Sequence, residues 1–233
     1  MRRIGTAGVV CAYGPCGPVR PECSTCDNRP MRVYQGAGAG QRNMDRCARD
    51  GVGIMLCSQW RDVSKFPYYS VDNGAFSAWK HGVKLDLATF NHVLERSGTA
   101  PYPPDFVVCP DRVLEGLKSL EYSLACLKEL PEGLRYYLAV QDGMTKGDVE
   151  RHIHRFAGLF VGGSMSWKVR ASEAWVALAH SWGKFCHIGR VGPIARIVWA
   201  ARIGADSIDS TTWVQQDRWH HIEGAKRQGL LEL

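Results

Sequence analysis

From Met31 onward, short apolar runs with strand character alternate with longer runs of helical period, and this alternation restricts the fold more than any other feature. The strand candidates are Met31–Gln35, Gly53–Cys57, Tyr68–Val71, Phe106–Cys109, Tyr136–Val140, Gly158–Val161, Phe185–Ile188 and Asp206–Ser210. The helical runs fall mostly between them: Asn43–Asp50, Asp86–Arg96, Leu114–Leu130, Lys146–His154, Trp167–Trp182 and Pro193–Ile203. Alternating strands and helices imply a parallel sheet, so we expect an α/β fold, a compact (β/α)₈ barrel of the TIM type. A doubly wound open sheet is the alternative, because the link between the second and third strands is too short for a full helix.

Residues 1–30 differ in composition from the rest, and we expect a small cysteine-rich segment there, followed by a catalytic barrel over residues 31–233. Four thiolates on a short, loop-rich segment suit tetrahedral Zn²⁺, which can fold a piece too small to make its own core. The candidate ligands are Cys11, Cys16, Cys23 and Cys26. Only the last two have the usual close spacing, so loose thiols or a redox pair are the alternatives. No organic cofactor is expected.

Charge and apolar content limit the partners of the chain. The formal net charge of +6 permits an anionic partner such as nucleic acid without requiring one. No apolar run approaches the ~20 residues that span a bilayer, and the first thirteen residues are too interrupted for a signal peptide. Nine cysteines, several of them inside periodic segments, are typical of reduced thiols in a cytoplasmic protein. The number of subunits is not indicated.

The eighth predicted strand carries a carboxylate at its end. Side chains alternate between the two faces of a strand, so Asp209 points inward if Ile208 packs against the flanking helices. Barrel enzymes place their chemistry at the C-terminal ends of the strands, which makes an inward carboxylate a catalytic candidate. For a single Asp, a structural role in capping the next turn is the alternative.

Other strands end in polar residues or glycines as well. They are Asp72 after the third strand, Asp111 after the fourth, Gln141 after the fifth, Gly162 and Gly163 after the sixth, and Gly189 and Arg190 after the seventh. Small residues stand two positions before four polar groups, which predicts an open pocket: Ser70, Cys109, Ala139 and Ser207. Such a pocket could pair with the edge of a planar heterocycle, while one further carboxylate attacks a sugar carbon.

Two other functions remain open from the residues alone. A retaining sugar hydrolase could use Asp72 and Asp209 as its acid and nucleophile, but Gln141 and the paired glycines would be unexplained. A non-catalytic nucleic-acid binding module around the zinc segment would explain the positive charge. It would not explain the carboxylates at the strand ends, which repel phosphate.

Four of these segments resemble motifs of the tRNA-guanine transglycosylase family. Asp72 to Ser77 is similar to the family's Asp-Ser-Gly-Gly-Phe-Gln, and Val140 to Gly143 to its Val-Gln-Gly-Gly. Phe160 to Gly163 resembles the glycine-bearing strand that binds the base, and Gly204 to Asp209 resembles Gly-x-Asp-x-Phe-Asp, whose second Asp is the family's nucleophile. The order of the motifs is preserved between Met31 and Trp213, although each motif alone is short.

The resemblance implies a (β/α)₈ fold and the exchange of guanine for a free 7-deazaguanine base, such as the 7-cyano form. Asp209 would attack C1′ and leave a covalent glycosyl-enzyme, and Asp72 would accept a proton or orient the base. Asp111, Gln141, Gly162 and Gly163 would read the base edge, with Ile188 and Gly189 near its face. Lys168 and Arg190, together with Arg42 and Arg46, would be candidates to hold phosphates.

The chain departs from the family in its metal site and at its end. The family's Cys-x-Cys-x2-Cys zinc cluster follows the nucleophile, whereas no cysteine follows Cys186 here. Ala75 and Asp142 replace glycines of the motifs, so the details of base recognition would differ. The trimmed form resembles the short phage-encoded relatives that place 7-deazaguanines into DNA, which would then act in the host cytoplasm. We therefore expect DNA as the substrate, with tRNA as the alternative.

Overall fold

Residues 31–38 and 40–232, which a computed structural model describes, form a closed barrel of parallel strands in chain order. The strands are β1 (Arg32–Gly36), β2 (Gly53–Leu56), β3 (Tyr69–Val71), β4 (Val107–Val108), β5 (Tyr136–Val140), β6 (Gly158–Val161), β7 (Phe185–Ile188) and β8 (Ser207–Ser210). Each strand pairs with the next, and β8 closes the barrel by pairing with β1, where Asp209 lies opposite Tyr34. The predicted (β/α)₈ barrel is confirmed, and the open sheet is excluded. The four cysteines predicted to bind zinc, and the proposed boundary at residue 30, lie outside the described residues.

Helices surround the barrel, and most follow the predicted runs. They are α1 (Gln41–Arg49), α2 (Ala75–Lys80), α3 (Leu87–Ser97), α4 (Leu117–Cys126), α5 (Lys146–Glu150), α6 (Met165–Ser181), α7 (Ile194–Arg202), α8 (Thr212–Gln215) and α9 (Trp219–Arg227). Three of them, α2, α8 and α9, were not predicted. The run expected from Leu114 begins as a helix only at Leu117, because Leu114 and Gly116 both adopt positive φ angles, 61° and 53°, outside the right-handed helical region.

Strand side chains alternate between two environments. One set, which includes Ile188 and Ile208, packs against the helices in the main core. The opposite set fills the barrel interior with large rings, among them Tyr34, Phe106 and Tyr137. Phe106 stacks on Tyr137 with ring centroids 4.3 Å apart. The aromatic filling closes the middle of the barrel.

The N-terminal end of the barrel is closed by an ion pair and hydrogen bonds. Arg32 lies 2.8 Å from Asp105, and the same carboxylate accepts a hydrogen bond of 2.5 Å from the Tyr34 hydroxyl. Burial, together with the neighbouring Asp105 charge, raises the pKa of Tyr34 well above its usual value, so this hydroxyl stays protonated. The C-terminal end, called the mouth below, is where the predicted polar groups lie.

Within the described residues, none of the helices has the length and apolar character needed to cross a bilayer.

Candidate active site

Asp209 points into the mouth of the barrel, as the alternation on β8 predicts. Its Oδ1 atom accepts a hydrogen bond from the Arg190 backbone N–H at 3.1 Å and lies 3.0 Å from Nε2 of His187. Among the described residues, its second oxygen, Oδ2, accepts no hydrogen bond. The side chain is 14% exposed. One oxygen of this carboxylate is therefore fixed in position while the other is open to a ligand.

His187 links Asp209 to the interior of the barrel. Its Nδ1 atom lies 2.8 Å from the Ser207 hydroxyl, and its ring stacks on Phe160 at 4.8 Å between centroids. Burial lowers the pKa of His187 even though Asp209 favours its protonation, so the ring is neutral at neutral pH. A neutral imidazole has one N–H group, and the carboxylate can only accept. We therefore assign Nε2–H as the donor to Asp209, with Ser207 donating its hydroxyl proton to Nδ1.

Asp72 lies at the end of β3, within electrostatic range of Asp209. Burial, followed by the charges of Asp209 and Asp111, raises the pKa of Asp72 to about 7. These effects outweigh hydrogen bonds from the backbone N–H groups of Gly74 and Asn73, which favour the charged form. Near neutral pH the side chain is therefore divided between its protonated and ionised forms, as a group that gives and takes protons requires.

Asp111 is held in place by two amide side chains. Asn73 donates to its Oδ1 at 2.8 Å, and Gln141 donates to its Oδ2 at 3.1 Å. Burial raises the pKa of Asp111 to about 6 although both amides favour its ionised form. The Asn73 side chain also accepts the backbone N–H of Ala75, the first residue of α2, at 2.7 Å. This carboxylate is thus positioned at the mouth by its neighbours.

Gln141 is directed towards protein groups rather than towards the mouth. Its Oε1 accepts from the backbone N–H of Leu114, and its Nε2 also lies 2.9 Å from the Arg112 carbonyl and 2.6 Å from the Ser119 hydroxyl. The residue is 1% exposed. In this arrangement the amide fixes the segment between β4 and α4, and a role in reading a base edge would require these bonds to open.

The two glycines after β6 are closely surrounded by other protein groups. The N–H of Gly162 donates to the Val140 carbonyl at 2.9 Å as part of the barrel. Gly163 has a φ of 72°, and a Cβ atom there would lie 2.4 Å from Oδ2 of Asp142. Asp142, which replaces a motif glycine, accepts the backbone N–H of Ser164 at 2.7 Å and its hydroxyl at 2.6 Å.

Arg190 extends across the mouth. Its backbone has a positive φ of 61°, and its guanidinium donates to the Gly163 carbonyl and lies 4.0 Å from the centroid of the Phe76 ring. Strands β3 and β7 are on opposite sides of the eight-stranded barrel, so the pair of Phe76 and Arg190 spans the space above the carboxylates. Arg190 is only partly exposed, and it remains available to an anion at the mouth.

Lys168 does not fit the expected role in phosphate binding. The residue is fully buried, and its Nζ donates to the carbonyl of Gly189. Burial, followed by the charge of Arg190, lowers the pKa of Lys168 to about 7, and the nearby Asp209 only partly opposes this. The side chain therefore supports the loop that carries Gly189 beside Asp209. The other two arginine candidates, Arg42 and Arg46, line a separate groove next to the acidic Asp50 and Glu223.

Two further expectations are corrected by the faces on which the side chains lie. Ile188 packs in the core between barrel and helices, so its side chain does not reach the face of a ligand in the mouth. Cys109 also faces the helices, where its thiol donates to the Ser123 carbonyl at 3.3 Å. Val108 takes the inward position. Ser70, Ala139 and Ser207 do lie on the inward face of their strands, as predicted.

Sequence reasoning missed three residues that contact or support the site carboxylates: His187 and Ser207 beside Asp209, and Asn73 beside Asp111. His187 and Ser207 occupy inward positions two residues before a mouth residue, and Asn73 directly follows Asp72 in its motif; these were the available signals. A buried histidine among aromatic rings, however, follows the same pattern whether it packs or directs a carboxylate. Within the described residues, no cluster of three or more His, Cys, Asp or Glu side chains has the arrangement of a metal site.

No protein-family model matches the chain, and no curated protein matches it either.

Proposed function

We propose that this protein is a transglycosylase that exchanges guanine in nucleic acid for a 7-deazaguanine base, with DNA as the substrate. The observation that carries the proposal is the environment of Asp209. One of its oxygens is fixed by His187 and by the Arg190 backbone, and the other is open at the mouth beside Asp72. The resemblance of the motifs to tRNA-guanine transglycosylases supports the base-exchange chemistry.

In the first step, Oδ2 of Asp209 attacks C1′ of the target nucleoside. The bond between C1′ and the base nitrogen breaks, and its electron pair leaves with guanine. Asp72 in its protonated form gives its proton to the departing base, and a covalent ester joins Asp209 to C1′. Because Oδ1 is fixed by two donors, the attacking oxygen keeps a constant orientation.

In the second step, the ring nitrogen of the incoming 7-deazaguanine attacks C1′ from the side that guanine vacated. The ester bond to Asp209 breaks, and the ionised Asp72 takes the proton that the new base loses. Two inversions at C1′ retain the configuration, as in retaining glycosidases. Asp111 accepts hydrogen bonds from the edge of the base in both steps, while Asn73 and Gln141 position it.

The test is exchange of labelled guanine in the presence of 7-cyano-7-deazaguanine, with single-stranded DNA, duplex DNA and tRNA compared in parallel. Asp209→Asn should abolish exchange and the covalent adduct seen by mass spectrometry under denaturing conditions. Asp45→Asn, which removes an exposed carboxylate on α1, is the matched control and should retain full activity. Exchange by Asp209→Asn at the wild-type rate would contradict the assignment of the nucleophile.

A retaining glycoside hydrolase is the second candidate. The specific observation in its favour is that Asp72 has a raised pKa next to Asp209, because paired carboxylates with different environments are the acid and nucleophile of such enzymes. A panel of aryl glycosides tests it directly. Release of the aryl group, lost in Asp209→Asn, together with no exchange of guanine would favour the hydrolase.

A further inference from the structure

Helix α2 presents aromatic rings to solvent directly beside the mouth. Phe76 is 37% exposed and Trp79 is 51% exposed, and the two rings lie 5.7 Å apart with 32° between their planes. The helix starts at Ala75, three residues after Asp72. Single exposed hydrophobic residues are common on folded proteins, whereas a contiguous exposed patch marks a binding site for a partner. Neighbouring rings beside a candidate site are such a patch.

The charges around these rings are positive. Lys80, on α2, is exposed and stands four residues after Phe76, on the same face of the helix, and the guanidinium of Arg190 lies against the Phe76 ring. Lys84, in the loop after α2, lines a groove with Ser77, Ala78 and Asp86 on the opposite face of the helix. Phe76, Trp79 and Lys80 are called the α2 surface below. It combines stacking groups with a cation.

We propose that the α2 surface binds an unpaired strand of nucleic acid, with a base stacked on Trp79 and a flanking phosphate paired with Lys80. Aromatic faces beside lysines are the two elements of single-strand recognition, because every base has a face that can stack and every nucleotide has a phosphate. In a duplex those faces are covered by neighbouring bases. The inference rests on the proposed function in one respect: it takes the bound nucleic acid to be the substrate, and it states that the substrate strand next to the mouth is unpaired.

This surface fits nucleic acid better than the groove between α1 and α9. That groove has a volume of about 710 Å³ and is lined by Arg42, Arg46 and Arg49. Its acidic residues balance these charges: Arg46 lies 3.2 Å from Asp50 and 2.9 Å from Glu223. A phosphate there would have to compete with carboxylates already in contact with the cation.

The experiment measures binding of labelled oligothymidylate by fluorescence anisotropy with the full-length protein. An oligomer without guanine cannot be a substrate for exchange, so binding is observed independently of the reaction. Trp79→Ala should weaken binding about 5- to 150-fold, the range that one base–aromatic stack corresponds to, and Trp79→Phe should retain most of the affinity. Trp182→Ala is the matched control, because Trp182 is 44% exposed but follows α6, directly before β7 at the closed end of the barrel. It should bind as the wild type does.

The charge on the surface is tested by salt dependence. Lys80→Ala should reduce the slope of log affinity against log salt by about 0.7, the contribution of one single-strand phosphate contact. Oligouridylate in a parallel series distinguishes RNA from DNA, and a matching duplex should bind less tightly than either single strand. Wild-type affinity of Trp79→Ala, or tighter binding of the duplex, would overturn the proposal.

The outcomes separate this inference from the proposed function. Oligothymidylate binding that depends on Trp79, without any exchange of guanine, would leave the α2 surface in place and remove the proposed reaction. Guanine exchange by a Trp79→Ala protein that binds single strands as the wild type does would retain the reaction and remove the α2 surface.

Discussion

Replacing Asp72 by Asn should stabilise the folded protein at alkaline pH while changing its stability little in acid. The pKa of this carboxyl is raised to about 7 in the folded state by burial and by the charges of Asp209 and Asp111. In the unfolded chain an Asp titrates near pH 4. Between these two values the folded protein binds more protons than the unfolded chain, so the stability of the wild type falls as the pH rises through this window.

The size of the effect follows from the width of the window. About three pH units separate the two pKa values, and each corresponds to about 1.4 kcal/mol. The difference in the free energy of unfolding between Asp72→Asn and wild type should therefore grow by up to about 4 kcal/mol between pH 4 and pH 8. Asn can still accept the backbone hydrogen bonds from Gly74 and Asn73, so the substitution changes mainly the charge.

Urea unfolding at pH 4.5 and at pH 8, followed by circular dichroism, measures the difference directly, provided that the m-value is unchanged. Asp45→Asn is the control for loss of a carboxylate on the surface. A difference between Asp72→Asn and wild type that does not change with pH would refute the conclusion that burial and neighbouring charges disfavour the ionised form of Asp72. Because the same substitution removes the proposed proton carrier, the stabilised variant should also lose most of its exchange activity.

Two further substitutions test the surroundings of Asp209. His187→Phe keeps a ring against Phe160 but loses the hydrogen bond to the carboxylate, which corresponds to about 1.5 to 3 kcal/mol and hence a 10- to 150-fold lower exchange rate. His187→Gln, which offers an N–H at a similar position, should recover most of the exchange rate. Equal rates for both variants would assign the histidine to packing alone. Gly189→Ala should reduce the free energy of unfolding by about 1 to 3 kcal/mol, because its Cβ atom would lie 2.7 Å from Cζ of Phe160 and 3.2 Å from Oδ1 of Asp209. Thermal unfolding of this variant beside Gly38→Ala, where a Cβ atom meets nothing within 4 Å, measures the effect, and equal melting temperatures would contradict it.

The barrel could be predicted because its strands have local signatures. Apolar runs bounded by turn residues gave the positions of all the strands, and the alternation on β8 gave the inward direction of Asp209. The prediction of which side chain faces inward failed at β4, where the alternation of inward and outward residues ends before Asp111. Pro110 follows Cys109 directly, so Asp111 lies beyond the end of β4, and counting back two positions from it reached the wrong face.

Contacts between distant segments could not be read from the pattern. The hydrogen bond that occupies Gln141 comes from Leu114, whose backbone has a positive φ of 61° that no local residue type required. The same holds for α2, where a six-residue helix with two exposed aromatic rings has no apolar periodicity to detect. Its first turn is fixed instead by the side chain of Asn73, which bonds to both Ala75 and Asp111.

The division of labour between the two carboxylates also depends on the folded structure. In the residue pattern alone, Asp72 and Asp209 each end a strand, and only the resemblance to the transglycosylase motifs gives them different expected roles. In the fold, Asp209 receives the neutral imidazole of His187 and a backbone N–H on one oxygen, which leaves the other oxygen oriented for attack. Asp72 instead lies where burial and two carboxylate charges raise its pKa to about 7, within the range useful for proton transfer. These different environments support the proposed roles, bond formation by Asp209 and proton transfer by Asp72, and exchanging the two residues should therefore not restore activity.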